Sequence, residues 1–289
     1  MSASDKRSAC QQEAFNLLKL ADEYHEEARA TVASGPRIDK YHDASRHYEM
    51  AAQSFGRCLA NVKTDMERRR LLGWQEFSMA MHYANIADQE RIMPDPDKRA
   101  LVNATRSALD HLTEAQNVMP WGYVEQSIVK TKWRVLENSI KGLMHRAEGE
   151  TLEAQGQLKL AVSSFQQAAE SYSEAAELAQ RTGDQVGFLR YMSRSLRGKS
   201  DALRCQALVS SRMEKARLLK EAEETARWAV TLRPAWAPYQ HILEKLVSLR
   251  REHEDIATIR RAWVQVLLGF VLGFLANILV VILFKLLGF

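Results

Sequence analysis

Four arginines at helical spacing are the side chains of this sequence best suited to bind a charged partner. They are Arg190, Arg194, Arg197 and Arg204. At 100° per residue they fall within about 80° of arc on one face of a helix. A row of guanidinium groups favours an anionic partner, such as an acidic peptide or a lipid headgroup. We predict that these residues bind a partner, although the same pattern is also typical of a solvated helix face.

The sequence lacks the residue patterns that catalysis or metal binding requires. Asp22 precedes His25, and Asp39 precedes His42, by three residues, which twice places an acid and an imidazole on one helix face. A metal site between helices needs such pairs on facing helices together with further glutamates, and short motifs of this kind recur by chance. No nucleophile motif, glycine-rich phosphate loop or HExxH is present. We therefore predict no enzymatic activity, no metal and no cofactor.

The cysteines and the net charge restrict the function further. Cys10, Cys58 and Cys205 are odd in number and far apart, which predicts reduced thiols facing a cytosol and neither a disulfide framework nor a zinc site. A formal net charge of +4 is too small to indicate nucleic acid as the partner. Gly and Pro are scarce, at 13 and 6 residues, which favours helices.

Apolar residues recur at helical intervals over nearly the whole chain. Ser34, Gly35 and Pro36 are predicted to stop the first helix, and Thr64 or Asp65 to cap the third. Short links between long helices place neighbours antiparallel. The sequence therefore predicts an all-α fold of helical hairpins. Its nine helices span about 15–32, 39–62, 65–92, 98–118, 121–154, 158–181, 185–209, 212–232 and 236–261.

An internal repeat supports the hairpins. Small residues, with an aromatic residue in two units and a histidine in one, recur at intervals of about 60 residues, each time on the second helix of a predicted hairpin. The units are Ala44-Tyr48-Ala51, Ala104-Ala108-His111, Ala161-Phe165-Ala168 and Ala222-Ala226-Ala229. Alanine lets two helix backbones approach closely, and a bulky residue one turn on fills the gap between hairpins.

This pattern resembles the tetratricopeptide repeat. One unit matches the family's glycine of the first helix and three positions of the second, and a later unit matches three positions and the terminal proline. The matching residues are Gly149, Ala161, Phe165, Ala168, Ala222, Ala226, Ala229 and Pro234. The family's period is about 34 residues, whereas the period here is near 60. The resemblance implies a solenoid of long antiparallel hairpins whose groove binds a peptide or helix of a protein partner. A plain helical bundle is the alternative.

The C-terminal run 262–284 contains no charged residue, and at about 1.5 Å per residue it is long enough to cross a hydrocarbon core of roughly 30 Å. We predict a single transmembrane helix that contacts membrane lipid; a buried core helix is the alternative. Arginines dominate the N-terminal flank of the run, which predicts a cytoplasmic N-terminal domain. Since the first residues show no secretory signal, the sequence predicts a tail-anchored, single-pass membrane protein.

Gly269, Gly273 and Asn277 lie on one face of the predicted span. Small residues let two membrane helices approach, and a side-chain amide can hydrogen-bond across them. We predict that this face pairs two spans into a homodimer or docks on another membrane protein. Glycine is also common in membrane spans that make no such contact.

Two functional hypotheses combine the helical domain with this anchor. The layout resembles tail-anchored tetratricopeptide-like adaptors, which implies a scaffold that binds a protein partner at one membrane. The alternative is an effector whose helical domain senses a signal and whose spans assemble to perturb the membrane. The predicted segments are a helical-hairpin domain over 1–233, a juxtamembrane helix over 234–261, the transmembrane helix over 262–284 and a tail over 285–289.

Overall fold

The computed structural model describes the backbone of residues 3–31, 34–120, 124–234 and 237–286. Side chains are described over 9–268, apart from 32–34, 121–128, 235–238, 257 and 259–262. Over this part of the chain every regular element is a helix, and each helix packs against the next one. The helices are α1 (Ala3–Ala30), α2 (Ser34–Leu59), α3 (Asp65–Ile92), α4 (Lys98–Val118), α5 (Val124–Ala154), α6 (Leu158–Arg181), α7 (Gln185–Val209), α8 (Arg212–Leu232) and α9 (Ala237–Leu286).

Local capping chemistry sets several helix ends where the sequence predicts them. The side-chain oxygens of Thr64, Asp97 and Asp184 each accept a hydrogen bond from the backbone N–H three residues later. These bonds satisfy N–H groups that have no partner within the helix. Gly183 ends α6 with a φ of +75°, a left-handed conformation that glycine adopts without a steric penalty.

The second helix begins earlier than the sequence predicts. Ser34, Gly35 and Pro36 form the first turn of α2 and not a link before it. Proline is compatible with a first turn because the N–H that it lacks has no intrahelical partner there. The predicted start at residue 39 is therefore wrong by five residues.

The repeat marks the surfaces through which the hairpins pack. All its alanines, together with Tyr48 and Phe165, are buried, while His111 is half-buried. Glycines on α5 make room for aromatic rings of α6, since a Cβ at Gly149 or Gly142 would lie 2.9 Å from the ring of Phe165 or Tyr172. Gly142 lies seven residues before Gly149 on α5, and its partner Tyr172 lies seven residues after Phe165 on α6. The two helices therefore run in opposite directions, as in an antiparallel hairpin. The prediction of an all-α, repeat-like arrangement of helical hairpins, consistent with a solenoid, is confirmed.

An aromatic cluster fixes the N-terminal hairpins to α5. Phe15 of α1 meets Phe55 of α2 and Trp74 of α3 edge-on, at centroid distances of 5.1 and 5.7 Å. Phe77 of α3 stacks on Trp133 of α5 at 4.7 Å. Aromatic contacts of this geometry contribute about 0.5–1.5 kcal/mol each beyond the burial of their area, so four helices share one core here.

The prediction of three reduced thiols is wrong for two of them. Cys10 of α1 and Cys58 of α2 form a disulfide, with Cα atoms 5.9 Å apart. They are 48 residues apart in sequence, and the antiparallel packing of α1 on α2 is what brings them together. Cys205 is a free thiol buried in α7, and burial raises its pKa to about 11.

The predicted transmembrane helix is contradicted. Within the described residues, none of the helices combines the length and the apolar character that a membrane span requires. The part of α9 before 262–284 is rich in charged residues, among them Arg250, Arg251 and Glu254. The tail-anchored, single-pass location that rested on the span is therefore wrong as well.

Candidate partner-binding face

Charged side chains concentrate on the surfaces that the odd-numbered helices α1, α3, α5 and α7 turn toward one another, which we call the inner face. Carboxylates on one helix interact with guanidinium groups on others, as Asp88 of α3 does with Arg29 of α1 and Arg194 of α7. Seven arginines outnumber five carboxylates among the described residues of this face, which leaves an excess of positive charge. The members are Arg29, Arg91, Arg146, Arg190, Arg194, Arg197, Arg204, Glu26, Asp88, Glu150, Glu153 and Asp201.

Neither arginine in the first half of α7 makes a direct ion pair in the described part of the chain, although Asp88 interacts electrostatically with Arg194, and Glu26 with Arg190. The guanidinium carbon of Arg194 lies over the ring of Tyr172 at 5.6 Å and over that of Tyr191 at 6.0 Å. Arg190 makes no ion pair within the described part of the chain. Both side chains are partly exposed, so solvent or a ligand can reach them.

The second half of α7 holds its arginines in ion pairs. Arg204 donates from both terminal nitrogens to the two carboxylate oxygens of Glu153 on α5, at 2.5 and 2.6 Å. Asp201 lies 3.5 Å from Arg204 and 3.7 Å from Arg197. The guanidinium of Arg197 also lies 5.8 Å from the ring centroid of Tyr239. A bidentate arginine–carboxylate pair of this kind joins α7 to α5.

On the α1 side, a buried hydrogen bond joins the inner face to α3. Nδ1 of His25 lies 2.8 Å from Oδ1 of Asn85, whose amide nitrogen donates to the carbonyl of Met81. The amide oxygen therefore accepts, and His25 donates from Nδ1. Burial lowers the pKa of His25 to about 4, and the positive charge of Arg29 adds to the effect, so this imidazole is neutral at pH 7.

Two carboxylates of the inner face, Asp88 and Glu150, remain ionised. Burial alone would raise the pKa of Asp88, but the nearby guanidinium groups of Arg91 and Arg194 hold that pKa well below its usual range. Burial likewise opposes ionisation of Glu150, yet Arg146 and Arg197 lower the pKa of that carboxyl. Both carboxylates are therefore charged at neutral pH, and the arginines of the inner face still outnumber its carboxylates.

Arg190, on the first turns of α7, has a positive environment. Its pKa is lowered, first by burial and then by the positive charge of Arg29, with Arg194 adding a smaller effect. An anion placed beside these guanidinium groups would relieve that repulsion and accept charge-assisted hydrogen bonds. The chemistry that the site supports is therefore recognition of an anionic group.

The structure divides the four arginines that the sequence places on one stripe. Arg197 and Arg204 bind carboxylates of the protein itself, whereas Arg190 and Arg194 face the positive part of the inner face. A role in partner binding stays a prediction for all four. Sequence reasoning missed Arg29 and the carboxylate partners; the signal for the latter was the spacing of Asp88–Arg91, Arg146–Glu150 and Arg197–Asp201 at three or four residues.

The second predicted site cannot be placed. The side chains of Gly269, Gly273 and Asn277 lie outside the described residues. Their predicted packing role, and the homodimer built on it, therefore stay predictions from the sequence alone.

No protein-family model and no curated protein matches this sequence.

Proposed function

We propose that this protein is a helical scaffold whose inner face binds an acidic segment of a protein partner. The observation that carries the proposal is the excess of arginines over carboxylates on the inner face, where Arg190 and Arg194 of α7 are partly exposed. Charge complementarity of this kind speeds encounter and fixes the register of a bound segment. The proposal includes no catalytic step and no cofactor.

The architecture supports the proposal. Stacked hairpins form extended surfaces on which side chains from several helices converge, and here α1, α3, α5 and α7 all contribute. The buried pairs between Arg204 and Glu153 hold α5 against α7. The resemblance of the Gly149 unit to the tetratricopeptide repeat agrees with a tetratricopeptide-like solenoid that binds peptides, and we include that subtype in the proposal.

Fluorescence anisotropy with labelled peptide pools tests the proposal on the full chain. Three degenerate nonapeptide pools differ only in whether the variable positions are acidic, neutral or basic. We expect the acidic pool to bind and its affinity to fall as salt rises, because exposed charges are screened beyond about 10 Å at 0.1 M ionic strength. The neutral and basic pools should not bind.

A pair of matched variants places the binding on the inner face. Arg190→Gln removes one guanidinium from the face, and Arg46→Gln removes one from an exposed position on α2. We expect weaker binding of the acidic pool by the first variant and unchanged binding by the second. Equal binding of acidic and basic pools, or equal effects of the two variants, would rule out the proposal.

A further inference from the structure

A disulfide closes the open end of the first hairpin. The chain itself joins α1 to α2 at the other end, between Ala30 and Ser34. Cys10 of α1 is bonded to Cys58 near the end of α2, with Cα atoms 5.9 Å apart. From Cys10 to Ala30, at about 1.5 Å per residue, the two attachment points lie roughly 30 Å apart along α1. The helix is therefore tied covalently to α2 at both ends.

The position of α1 in the fold makes the second tie important. This helix lies at one end of the stack of described helices and packs along α2, whereas α2 to α8 each lie between two neighbours. Side chains of α1 also reach α3, where Phe15 meets Trp74 and His25 bonds to Asn85. A terminal unit with few neighbours opens at a lower free energy than an inner one, and a cross-link at its free end opposes that opening.

One sulfur of the disulfide is more accessible than the other. Cys10 is half-buried, whereas Cys58 is fully buried in the core of the hairpin. A thiolate of a dithiol reductant can therefore attack Sγ of Cys10. The bond between the two cysteines breaks, and the sulfur of Cys58 leaves with the electron pair and takes up a proton. The second thiol of the reductant then releases Cys10, so that both cysteines end as thiols and the dithiol ends as its own disulfide.

The third cysteine does not compete in this exchange. Cys205 is buried in α7. Burial raises the pKa of its thiol to about 11, so it is protonated at neutral pH and is a poor nucleophile. Reduction of the described part of the chain therefore acts on the link between α1 and α2.

We propose that the disulfide between Cys10 and Cys58 is a redox-controlled clamp on α1. A dithiol reductant frees the N-terminal end of this helix, and α1 then opens as a unit while the hairpins from α3 onward stay folded. Since α1 carries Glu26 and Arg29 of the inner face, its opening removes part of that face. The clamp itself is independent of the proposed function, whereas its effect on binding rests on the proposed function.

Hydrogen exchange followed by mass spectrometry tests the clamp on the full chain, with and without dithiothreitol. Reduction should speed the exchange of the backbone amides of 14–30 by at least about tenfold, because the lost cross-link lowers the free energy needed to open α1. The amides of α6 should exchange at an unchanged rate. Labelling with a maleimide shows how many thiols the reductant has released.

Two cysteine variants separate the clamp from other effects of the reductant. Cys10→Ser should show fast exchange in α1 both with and without dithiothreitol. Cys205→Ser keeps the clamp and should respond to dithiothreitol as the unmodified chain does. Circular dichroism confirms that both variants are folded. A response to dithiothreitol that persists in Cys10→Ser would overturn the proposal.

The remaining outcomes distinguish the clamp from the proposed function. Equal exchange of α1 in the oxidised and the fully reduced chain would overturn the clamp, and so would a disulfide that dithiothreitol leaves intact in the folded protein. The acidic peptide pool should bind more weakly to the reduced chain. Faster exchange with unchanged affinity would overturn the effect on binding alone. If none of the peptide pools binds in either state, the proposed function is wrong, and the exchange rates still decide the clamp.

Discussion

The two halves of α7 carry the same residue type at the same spacing and use it differently. In the first half, Arg190 lies beside other arginines and Arg194 lies over tyrosine rings. Arg197 and Arg204 in the second half lie beside Asp201 and Glu153. An arginine whose charge is satisfied within the fold stabilises the fold, whereas one held among like charges is available to a ligand. The identity of the neighbouring helix, and not the helical stripe itself, decides which role an arginine has.

The largest loss of stability is expected from a substitution in the second half of α7. Arg204→Ala leaves the partly buried carboxylate of Glu153 without its partner and leaves Asp201 with Arg197 alone, which we expect to cost about 3 kcal/mol of the free energy of unfolding. Urea denaturation followed by circular dichroism measures it. Arg212→Ala, at an exposed position on α8, is the control and should change stability by less than about 0.5 kcal/mol. A loss below 1 kcal/mol for Arg204→Ala would mean that the pair does not hold α5 to α7.

The next largest loss of stability is expected on acidification, through His25 on the α1 side of the inner face. The pKa of this group is lowered in the folded protein to about 4, so the unfolded chain takes up its proton first as the pH falls. Stability is therefore full above pH 6.5 and is lost toward pH 4, with about 2 kcal/mol lost between pH 7 and pH 5. Unfolding free energies at these two pH values measure the loss. His25→Gln should flatten this part of the profile, and an unchanged slope in that variant would assign the effect to another group.

A smaller loss of stability is expected from a substitution at Gly198, near the boundary between the two halves of α7. A Cβ at Gly198 would lie 3.1 Å from the backbone nitrogen of Ala169 and the carbonyl oxygen of Phe165, both on α6. Backbone cannot move aside cheaply, so Gly198→Ala should separate α7 from α6. The strain exceeds the gain in helix propensity, and we expect a net loss of about 1 kcal/mol in thermal or urea unfolding. Gly35→Ala, where a Cβ meets nothing within 4 Å, is the matched control; a stabilised Gly198→Ala variant would contradict the close contact.

The smallest effect on stability is expected in the first half. Arg190→Ala removes a guanidinium that repels Arg29 and makes no direct ion pair with a carboxylate among the described residues. We expect the free energy of unfolding to change by less than about 0.5 kcal/mol, or to rise slightly. The same urea titration used for Arg204→Ala gives a direct comparison. A loss as large as that of Arg204→Ala would erase the distinction between the two halves.

The sequence predicted what depends on neighbouring residues. The ends of α3, α4 and α7 follow from side chains that cap the next turn, and the buried alanines follow from a regular interval. The disulfide between Cys10 and Cys58 and the pairing of Arg204 with Glu153 depend on which helices pack together. Those contacts join residues 48 and 51 positions apart, and no local pattern encodes them.

The two errors of larger consequence also have physical causes. The transmembrane prediction weighed only the length and the missing charges of 262–284, whereas no helix of the described residues meets the requirements of a span. The stripe of arginines was treated as one surface because helical spacing alone cannot show what each member faces. Arg29 was missed because only the fold brings α1 and α7 to the same cavity, where Arg29 and Arg190 both lie.

The central claim, that the first half of α7 attracts an anionic segment, is tested most directly by reversing one charge. Arg190→Glu is titrated with the acidic and basic peptide pools, beside Arg212→Glu as a control with the same change in net charge. The account predicts that Arg190→Glu loses binding of the acidic pool and gains binding of the basic pool, while Arg212→Glu keeps the preference of the unmodified protein. If Arg190→Glu still prefers the acidic pool as strongly as Arg212→Glu does, the claim is contradicted.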